Sequence, residues 1–573
     1  MRKLLKYLKN YKLQSVLAPL FKLLEACFEL FVPIIVAAII DNGVKAGAGV
    51  NYIVVACIIL IALGMVGLIA AVAAQYFAAR AAVGFSKELR HELFKKMQSL
   101  SYSQIDGLGT PGMITRMTSD VNQIQSGVNL VLRLFMRSPF IVFGAMIMAF
   151  IISLKAGGIF AFSIAVLCVV VFAIMLASIP LYKKVQGKLD KVTITTRETL
   201  TGARVLRAFC KEEDEIKEFA SRNSELKKSQ LFVGRISALM NPLTYAVVNA
   251  TIIILLYVGA IQVQDGLLTQ GMVIALYNYM SQILVELIKL ANLIITVTKS
   301  FASAGRITEI LEMQSSLIVG DKNEKLNSAF IEFKNVCANY HGSAVNALDN
   351  ISFTVDRGQT IGIIGGTGAG KTTLVNMIPH FYDASSGEIL IDGLNVNAIG
   401  DEILRAECGV VPQRAVLFKG TIRENMQWGK NDATDEEITE AIKTAQAVDV
   451  VASKSAGLDE IVEQSGKNFS GGQRQRLTIA RALVKKPKIL ILDDSASALD
   501  YATDANLRQS LKTLDYKPTV FIVSQRTSSI RHADKIIVLD GGKMAGIGTH
   551  EELLNTCEVY REIHHSQYAV EGV

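Results

Sequence analysis

The N-terminal half of the chain contains six long apolar segments, and these restrict the possible folds more than any other feature of the sequence. Each segment is close to the ~20 residues that an α-helix needs to cross the hydrocarbon core of a bilayer. Hydrophobic residues make up 50% of the chain and charged residues only 19%, whereas about 25% of an average soluble protein is charged. The sequence therefore predicts six membrane spans, near residues 16–40, 52–74, 130–154, 157–179, 245–263 and 271–297.

Basic residues in the connections indicate how these spans are oriented. The start MRKLLKYLKNYK and the connections SKELRHELFKK and LYKKVQGKLDK are rich in lysine and arginine, whereas DNGVKAGAG, SLKAGG and QVQDGLLTQ carry very few. Because basic connections stay in the cytoplasm, both termini are expected to be cytoplasmic. The first apolar run continues to Ile40, much longer than a signal-peptide core of about 7–15 residues, so a retained helix is predicted and not a cleaved leader. A bacterial inner membrane fits these features, and an organelle membrane stays open.

Two connections, residues 75–129 and 180–244, are far longer than the others and have helical periodicity. Each is predicted to form two helices that prolong the spans into the cytosol and meet at a turn. The predicted turns are GLGTPGMITRMTSD, around Gly112, and ETLTGARVLRAF, around Arg204. These turns are expected to touch a cytosolic domain.

The sequence after the sixth span changes from a membrane pattern to an α/β pattern. Polar MQSSLIVGDKNEKLNS is predicted to be a linker, and beyond it the short β-rich runs FIEFKNV, TIGIIG, KILILDD and PTVFIVS alternate with helical stretches. That alternation is typical of an α/β domain. The predicted division is a transmembrane domain at residues 1–312, a linker at 313–328 and an α/β domain at 329–573. The seven scattered cysteines have no CxxC spacing and support neither a disulfide framework nor a zinc site.

The segment GGTGAGKT follows an apolar strand and precedes a helical stretch, and it fits the phosphate-binding pattern G-x-x-x-x-G-K-[ST]. Its backbone N–H groups can surround ATP phosphates, Lys371 can reach the β- and γ-phosphates, and the Thr372 hydroxyl can bind Mg²⁺. A second apolar strand, KILILDD, ends at Asp493, which is predicted to hold Mg²⁺. The predicted ATP contacts in this loop are Gly365, Gly366, Thr367, Gly368, Ala369, Gly370, Lys371, Thr372 and Thr373.

Between these two strands lies NFSGGQRQRL, which resembles the signature of ATP-binding cassette (ABC) proteins. The resemblance implies that Ser470, Gly471, Gly472 and Gln473 act on the nucleotide held by the opposite subunit. It also implies an adenine-stacking role for Tyr340 in ANYHG, a place near Mg²⁺ for Gln413 in VVPQRAVLF, and a dimer-crossing loop that contains Asp500 in SALD. With six spans in front, the whole chain is similar to a half transporter of the ABC exporter type. The fold expected is a six-helix, all-α membrane domain followed by an α/β P-loop nucleotide-binding domain.

The chain departs from the family pattern at two catalytic positions. Asp494 stands where the family normally has a glutamate that polarises the attacking water, and Gln525 stands where a histidine contacts the γ-phosphate. Aspartate is one methylene shorter, and a neutral amide cannot share a proton as imidazole can. These departures resemble the degenerate-site subunit of heterodimeric bacterial exporters. The implied partner is a second half transporter, and a homodimer with two slow sites is the alternative.

Charged residues inside the predicted spans are candidate substrate contacts, because they are expensive in a membrane. Lys22, Glu25 and Glu29 share one helical face of the first span, and Glu286 and Lys289 are three residues apart in the last. Glu25, Glu29 and Glu286 could line a cavity for cationic amphiphiles. The alternative is that Lys22 and Glu25 pair with one another or with the neighbouring subunit.

The function predicted from these features is ATP-driven export of hydrophobic or amphiphilic compounds, either drugs or lipids, in a lipid bilayer and without a nucleic-acid partner. An ATP-dependent membrane sensor without transport is the alternative from another class. The same architecture serves many substrates, and import in some branches, so the sequence leaves the substrate open.

Overall fold

The computed structural model describes residues 2–47, 49–314, 317, 320, 330–340 and 345–567. The chain divides into two compact units, the first made of Met1–Gln98 and Pro111–Met313 and the second of Ser99–Thr110 and Gln314–Val573. Most of the predicted linker, residues 313–328, lies outside the described residues. The predicted domain boundaries therefore stay a prediction.

The described residues of the first unit form helices and the turns between them, with no strand. Six of its helical stretches are long and apolar enough to cross a membrane, and this confirms the six predicted spans. These stretches are Lys3–Lys45, Val50–Gln98, Thr110–Ile152, Leu154–Thr201, Glu212–Gln264 and Gln270–Glu312. The α-helices up to the end of this unit are α1 (Lys12–Ala38), α2 (Val50–Gln98), α3 (Tyr102–Leu108), α4 (Thr110–Thr115), α5 (Val121–Leu134), α6 (Arg137–Ile152), α7 (Leu154–Thr201), α8 (Ala203–Ala208), α9 (Glu212–Ala238), α10 (Met240–Gln264) and α11 (Gln270–Glu312).

Capping interactions determine where two of the spanning helices begin. The Ser153 hydroxyl accepts a hydrogen bond from the Ala156 N–H at the start of α7. At the start of α11, the carboxylate of Asp41 accepts a hydrogen bond of 2.9 Å from the Gly271 N–H. A negative charge at a helix N-terminus is stabilising because of the helix dipole. Asp41 therefore fastens the end of the first span to the start of the last.

The first long connection turns earlier than the sequence predicts. Its turn contains α3, which begins at Tyr102 and belongs to the second unit. The N-cap residue Ser101 forms a capping box with Gln104. Most of the predicted turn, residues 107–120, instead forms α4 and a π-helical turn at Arg116–Asp120. The start signal is the capping box, which the prediction overlooked. In the second long connection, α8 lies within the predicted turn.

The described residues of the second unit form three sheets. The strands are β1 (Ile331–Ala338), β2 (Leu348–Val355), β3 (Thr360–Gly365), β4 (Ser386–Ile391), β5 (Leu394–Asn395), β6 (Cys408–Val411), β7 (Gly420–Thr421), β8 (Ile461–Val462), β9 (Ile489–Asp493), β10 (Thr519–Val523), β11 (Lys535–Asp540) and β12 (Lys543–Gly548). A six-stranded sheet has the order β12-β11-β3-β10-β9-β6, a four-stranded antiparallel sheet has the order β2-β1-β4-β5, and β7 pairs with β8. The predicted α/β class of this domain is confirmed.

Helices surround the strands of the second unit. They are α12 (Lys371–Met377), α13 (Asp401–Glu407), α14 (Ile422–Gln427), α15 (Asp435–Thr444), α16 (Val448–Ala452), α17 (Gly471–Val484), α18 (Tyr501–Lys512), α19 (Thr527–Ile530), α20 (His550–Thr556) and α21 (Glu558–Gln567). The strands β11, β3, β10, β9 and β6 run parallel, so their carboxyl ends meet at one edge of the sheet. In parallel α/β sheets this edge is where ligands bind.

His380 holds together the region that follows α12. Its side chain is fully buried, and its two ring nitrogens lie 2.8 Å from Asp383 and 3.0 Å from Asp401. Burial alone lowers the pKa of His380, but the hydrogen bonds to these carboxylates raise it above its ordinary value. A histidine whose pKa is raised by folding stabilises the folded state below the unfolded pKa of about 6.5, and this stabilisation is lost as pH rises through the folded pKa.

We expect His380→Gln to destabilise the second unit at pH 6 by about 2 kcal/mol, because the carboxylates of Asp383 and Asp401, which are 21% and 18% exposed, lose a charged partner. For a domain of this size that lowers the melting temperature by about 4–8 °C. The difference from wild type should shrink as pH rises from 6 to 9. Fluorescence of Trp428, the single tryptophan, reports melting of the full-length chain. An equal difference at both pH values would contradict a charged His380.

Candidate nucleotide-binding site

The glycine-rich loop between β3 and α12 has a backbone that glycine adopts easily and other residues do not. Gly368 and Gly370 have φ values of +82° and +93°, in the left-handed region. A Cβ atom on Gly370 would lie 2.4 Å from the carbonyl oxygen of Ala347, so a larger residue would displace the loop. The loop and the following helix start can therefore present their N–H groups closely to phosphate groups.

Lys371 lies against this loop. Its ammonium group donates hydrogen bonds of 2.9 and 2.7 Å to the carbonyl oxygens of Gly365 and Gly366. Burial lowers the pKa of Lys371, and the nearby charges of Asp494 and Asp493 oppose that shift. The structure thus places a cation where the sequence predicts contact with the β- and γ-phosphates.

Two side chains whose oxygen atoms can bind a metal ion lie beside the loop. Asp493 is the last residue of β9 and is 4% exposed, and its Oδ1 accepts a hydrogen bond of 3.1 Å from the Thr372 hydroxyl. Burial raises the pKa of Asp493, although the Thr372 hydrogen bond favours the charged form. Carboxylate and hydroxyl oxygens are the ligand type that Mg²⁺ prefers, so these residues fit the predicted Mg²⁺ site.

Asp494 has a constrained backbone and a short reach. Its φ is +46°, its N–H donates to the carbonyl oxygen of Val523 at 3.0 Å, and its own carbonyl oxygen accepts from the Ser497 hydroxyl at 2.7 Å. The Asp494 carboxylate accepts a hydrogen bond from the Gln413 amide at 3.4 Å. Burial raises the pKa of Asp494. The hydrogen bond from Gln413 and the positive charges of Lys371 and Arg526 oppose that rise. The two predicted residues Gln413 and Asp494 are therefore neighbours.

Tyr340 lies close to the glycine-rich loop. It follows β1, is 39% exposed, and its hydroxyl is 2.9 Å from the hydroxyl of Thr373. Its ring meets Tyr382 edge-on, with 5.5 Å between centroids. An exposed ring next to the loop is free to stack on a base.

The signature residues lie at the start of α17. Ser470 caps this helix, its hydroxyl accepts from the Gln473 N–H at 3.3 Å, and the Gln473 side chain accepts from the Ser470 N–H at 2.9 Å. The Gln473 side chain is therefore engaged with its own helix. Ser470 and Gly471 are exposed, and Asp500 in the adjacent loop caps α18 through the Thr503 N–H at 3.1 Å.

Gln525 follows β10 and is exposed. Its carbonyl oxygen accepts a hydrogen bond of 2.6 Å from the Gln567 side chain. The amide oxygen of the same Gln567 side chain accepts a hydrogen bond of 2.8 Å from the Thr527 N–H. The C-terminal helix α21 thereby holds the loop that contains Gln525, a contact the sequence analysis missed because it depends on packing.

Comparisons with known proteins show the family to which this chain belongs. The chain matches the family model described as ABC transporter transmembrane region over residues 15–287 and that described as ABC transporter over residues 348–497. The uncharacterized ABC transporter ATP-binding protein YfiB of Bacillus subtilis (strain 168) is 34% identical over 577 residues, which cover 100% of this chain and 99% of that protein. The chain belongs to the ABC transporter family. This transporter is thus a membrane protein with an ATPase coupled to transport.

Two further similarities concern exporters and flippases. An ATP-dependent lipid A-core flippase of Syntrophus aciditrophicus (strain SB) is 31% identical to this transporter over 496 residues, covering 85% of this chain and 81% of the flippase. The solved structure of a bacterial Atm1-family ABC exporter with ATP bound has a TM-score of 0.81 at 23% identity, over 98% of this chain and 99% of that one. The ABC exporter fold, with fused transmembrane and ATP-binding domains, is therefore confirmed.

The predicted acids of the first unit are brought together by a residue that the sequence analysis missed. Arg137 of α6 lies 2.7 Å from Glu29, 3.8 Å from Glu25 and 2.6 Å from Glu286. Lys22 pairs with Glu25 at 2.5 Å. An arginine inside the predicted span at residues 130–154 was the available signal. The role of the three acids in substrate binding stays a prediction, but in this transporter all three have cationic partners.

Proposed function

We propose that this transporter chain is one half of a heterodimeric exporter of hydrophobic or amphiphilic compounds, drugs or lipids, and that its own nucleotide site hydrolyses ATP slowly. The observation that supports weak hydrolysis is the combination of Asp494 and Gln525 at the two catalytic positions with an intact Ser470–Gly472 signature. The signature would act on the partner's nucleotide, where the partner would supply glutamate and histidine. The nucleotide at Lys371 would serve mainly to hold the two subunits together.

Within this proposal, the residues of the site have separate tasks. The glycine-rich loop and Lys371 bind the phosphates, Tyr340 stacks on adenine, and Thr372, Gln413 and Asp493 would hold Mg²⁺. Bound Mg²⁺ neutralises charge on the β- and γ-phosphate oxygens. Asp494 is the position from which a water would be polarised, and its short side chain on a constrained backbone limits that function.

Contacts of α3 support a route by which ATP binding reaches the membrane spans. Tyr102 stacks on Phe381 with 4.5 Å between ring centroids, and the Tyr382 hydroxyl donates to Asp106 at 2.8 Å. Since α3 follows α2 directly in the chain, movement of the ATP-binding unit would pull on that spanning helix. Two nucleotides sandwiched between two such units would draw the connections together and open a cavity outward.

The proposed substrate class rests on the composition of the spans and on the flippase relative, whose name assigns it lipid A-core. Both termini are proposed to be cytoplasmic, from the basic connections, and the location is proposed to be a bacterial inner membrane. The acids Glu25, Glu29 and Glu286 each have a cationic partner, which argues against selection by positive charge alone.

ATP-dependent flux tests this proposal. The transporter, purified with its partner subunit and placed in inside-out vesicles, is expected to accumulate a fluorescent amphiphile in the lumen only with ATP. A conformational change on ATP addition without flux would indicate the sensor instead. If the chain purified alone hydrolyses ATP well above its Lys371→Ala variant, the homodimer with two slow sites is favoured.

A further inference from the structure

A cluster of six charged residues lies deep in the first unit and joins three helices. Lys22, Glu25 and Glu29 are on α1, Arg137 is on α6, and Glu286 and Lys289 are on α11. All six residues lie inside the predicted spans 16–40, 130–154 and 271–297. Glu286 is sixteen residues from the start of α11, or roughly 24 Å along the helix axis. Ionisable groups at such depth are functional-site candidates.

The ion pairs of this cluster form a chain with a buried middle and accessible ends. Arg137 and Glu286 are paired at 2.6 Å, and their side chains are 6% and 4% exposed. At one end, both Glu29 carboxylate oxygens accept hydrogen bonds from Arg137, at 2.7 and 2.9 Å, and the Glu29 side chain is 42% exposed. At the other end, Lys289 donates to Glu286 at 2.8 Å and is 40% exposed. The accessible ends are thus one carboxylate and one ammonium group.

The charge balance of the cluster decides which ligand it suits. Three carboxylates are balanced by three cations, so no net charge remains to attract a cation or an anion. A cationic ligand at Glu29 would also meet Arg137, and an anionic ligand at Lys289 would meet Glu286. A ligand that carries both charges can satisfy both ends, since complementary charges give specificity.

One hydrogen-bond donor of the cluster also lacks a partner among the described residues. The Nε atom of Arg137 is buried and has no hydrogen-bond partner among the described residues. Most buried donors in folded proteins have a partner, so a ligand that accepts a hydrogen bond from this Nε–H would complete the cluster.

We propose that Glu29 and Lys289 are the two poles of a headgroup-binding site for zwitterionic amphiphiles. The ligand's ammonium group contacts Glu29 and its phosphate group contacts Lys289, while Arg137 and Glu286 hold the two poles in place. The proposal rests on the proposed export of amphiphiles and specifies the headgroup that is recognised.

The test compares three probes of equal acyl-chain length on the purified full-length transporter without ATP. The probes are lysophosphatidylcholine, lysophosphatidylglycerol and an alkyltrimethylammonium, which are zwitterionic, anionic and cationic. Binding is measured by displacement of a fluorescent lysophosphatidylcholine. Wild type is expected to bind the zwitterion at least about tenfold more tightly than either other probe, which is about the contribution of one hydrogen bond to a charged group.

Two substitutions should change this preference in opposite ways. Glu29→Gln is expected to weaken lysophosphatidylcholine binding about tenfold and leave lysophosphatidylglycerol within about twofold. Lys289→Gln is expected to weaken both phosphate-containing probes and spare the alkyltrimethylammonium. Lys299→Gln removes an exposed lysine from the same helix and should change nothing. If Lys289→Gln does not fold, the binding result for Glu29→Gln alone tests the headgroup site, because Glu29 is the more exposed of the two poles.

A parallel change for all three probes, or no change, would overturn the headgroup site and leave the cluster as a packing device. Because binding is measured without ATP, failure of this proposal is separate from failure of export. Vesicle flux that persists with unchanged headgroup preference would retain the exporter and remove the site.

Discussion

Replacing Lys371 by alanine is expected to weaken ATP binding by about 100-fold, because loss of a partly buried charge that contacts phosphate costs about 2–5 kcal/mol. The ammonium is already held against the loop by the carbonyl oxygens of Gly365 and Gly366. Little side-chain ordering therefore opposes ATP binding in wild type. The measurement is equilibrium binding of ATP to the purified chain in lipid at low temperature.

The matched control for this substitution is Lys419→Ala, which removes an exposed lysine from the same unit. It should bind ATP as wild type does. Thermal melting of both variants shows whether the unit stays folded. An affinity for ATP within about threefold of wild type in a folded Lys371→Ala protein would contradict the assigned site, since a threefold change is under 1 kcal/mol.

Replacing Asp494 and Gln525 by the residues usual in the family is expected to raise ATP hydrolysis. Asp494→Glu combined with Gln525→His should increase the steady-state rate at least tenfold, because a positioned general base typically contributes ~10²–10⁴ in rate. The backbone of Asp494 is held by Val523 and Ser497, so only a longer side chain can extend the carboxylate toward a water. Gln525 is exposed, which leaves room for an imidazole. The rate is measured on the transporter assembled with a partner whose own nucleotide site has been inactivated, so that only the site at Lys371 contributes.

Asp494→Asn is the control that distinguishes a degenerate site from a site in which Asp494 is a working base. It keeps the shape of the side chain and removes its charge. If the site is degenerate, this variant should hydrolyse ATP at a rate within about twofold of wild type, since a group that does no general-base catalysis contributes little to the rate. Loss of most hydrolysis in Asp494→Asn, with no gain in the restored variant, would indicate that Asp494 is a working base.

Local features of the sequence were enough to predict a nucleotide site. Lys371 and Thr372 follow a glycine-rich pattern whose geometry depends on a few consecutive residues, and Asp493 ends an apolar strand. The structure brings Thr372 to 3.1 Å from Asp493. The reason is that β3, which precedes the glycine-rich loop, and β9, which ends at Asp493, are parallel members of one sheet. Pattern and context together predicted these neighbours, since parallel strands that end at one edge place their last residues close together.

The charged residues of the spans show where such inference ends. The sequence predicted that Glu25, Glu29 and Glu286 lie inside spans and left a Lys22–Glu25 pair open. It did not predict that Arg137 lies within ion-pair distance of all three acids. Arg137 is 108 residues from Glu29 and 149 from Glu286 along the chain, and helical periodicity carries no information at that distance. Which face of α6 meets α1 and α11 is decided by packing.

The sequence by itself determined the six spans, the α/β class of the second unit and the order of its ATP-binding motifs. Those properties follow from apolar length, from periodicity and from short patterns whose chemistry is local. Only the tertiary structure decided that α3 belongs to the ATP-binding unit, that α21 holds the Gln525 loop and that the intramembrane acids are paired. Each of these depends on contacts between segments distant in the chain, where burial and the cost of an unpaired charge select one arrangement.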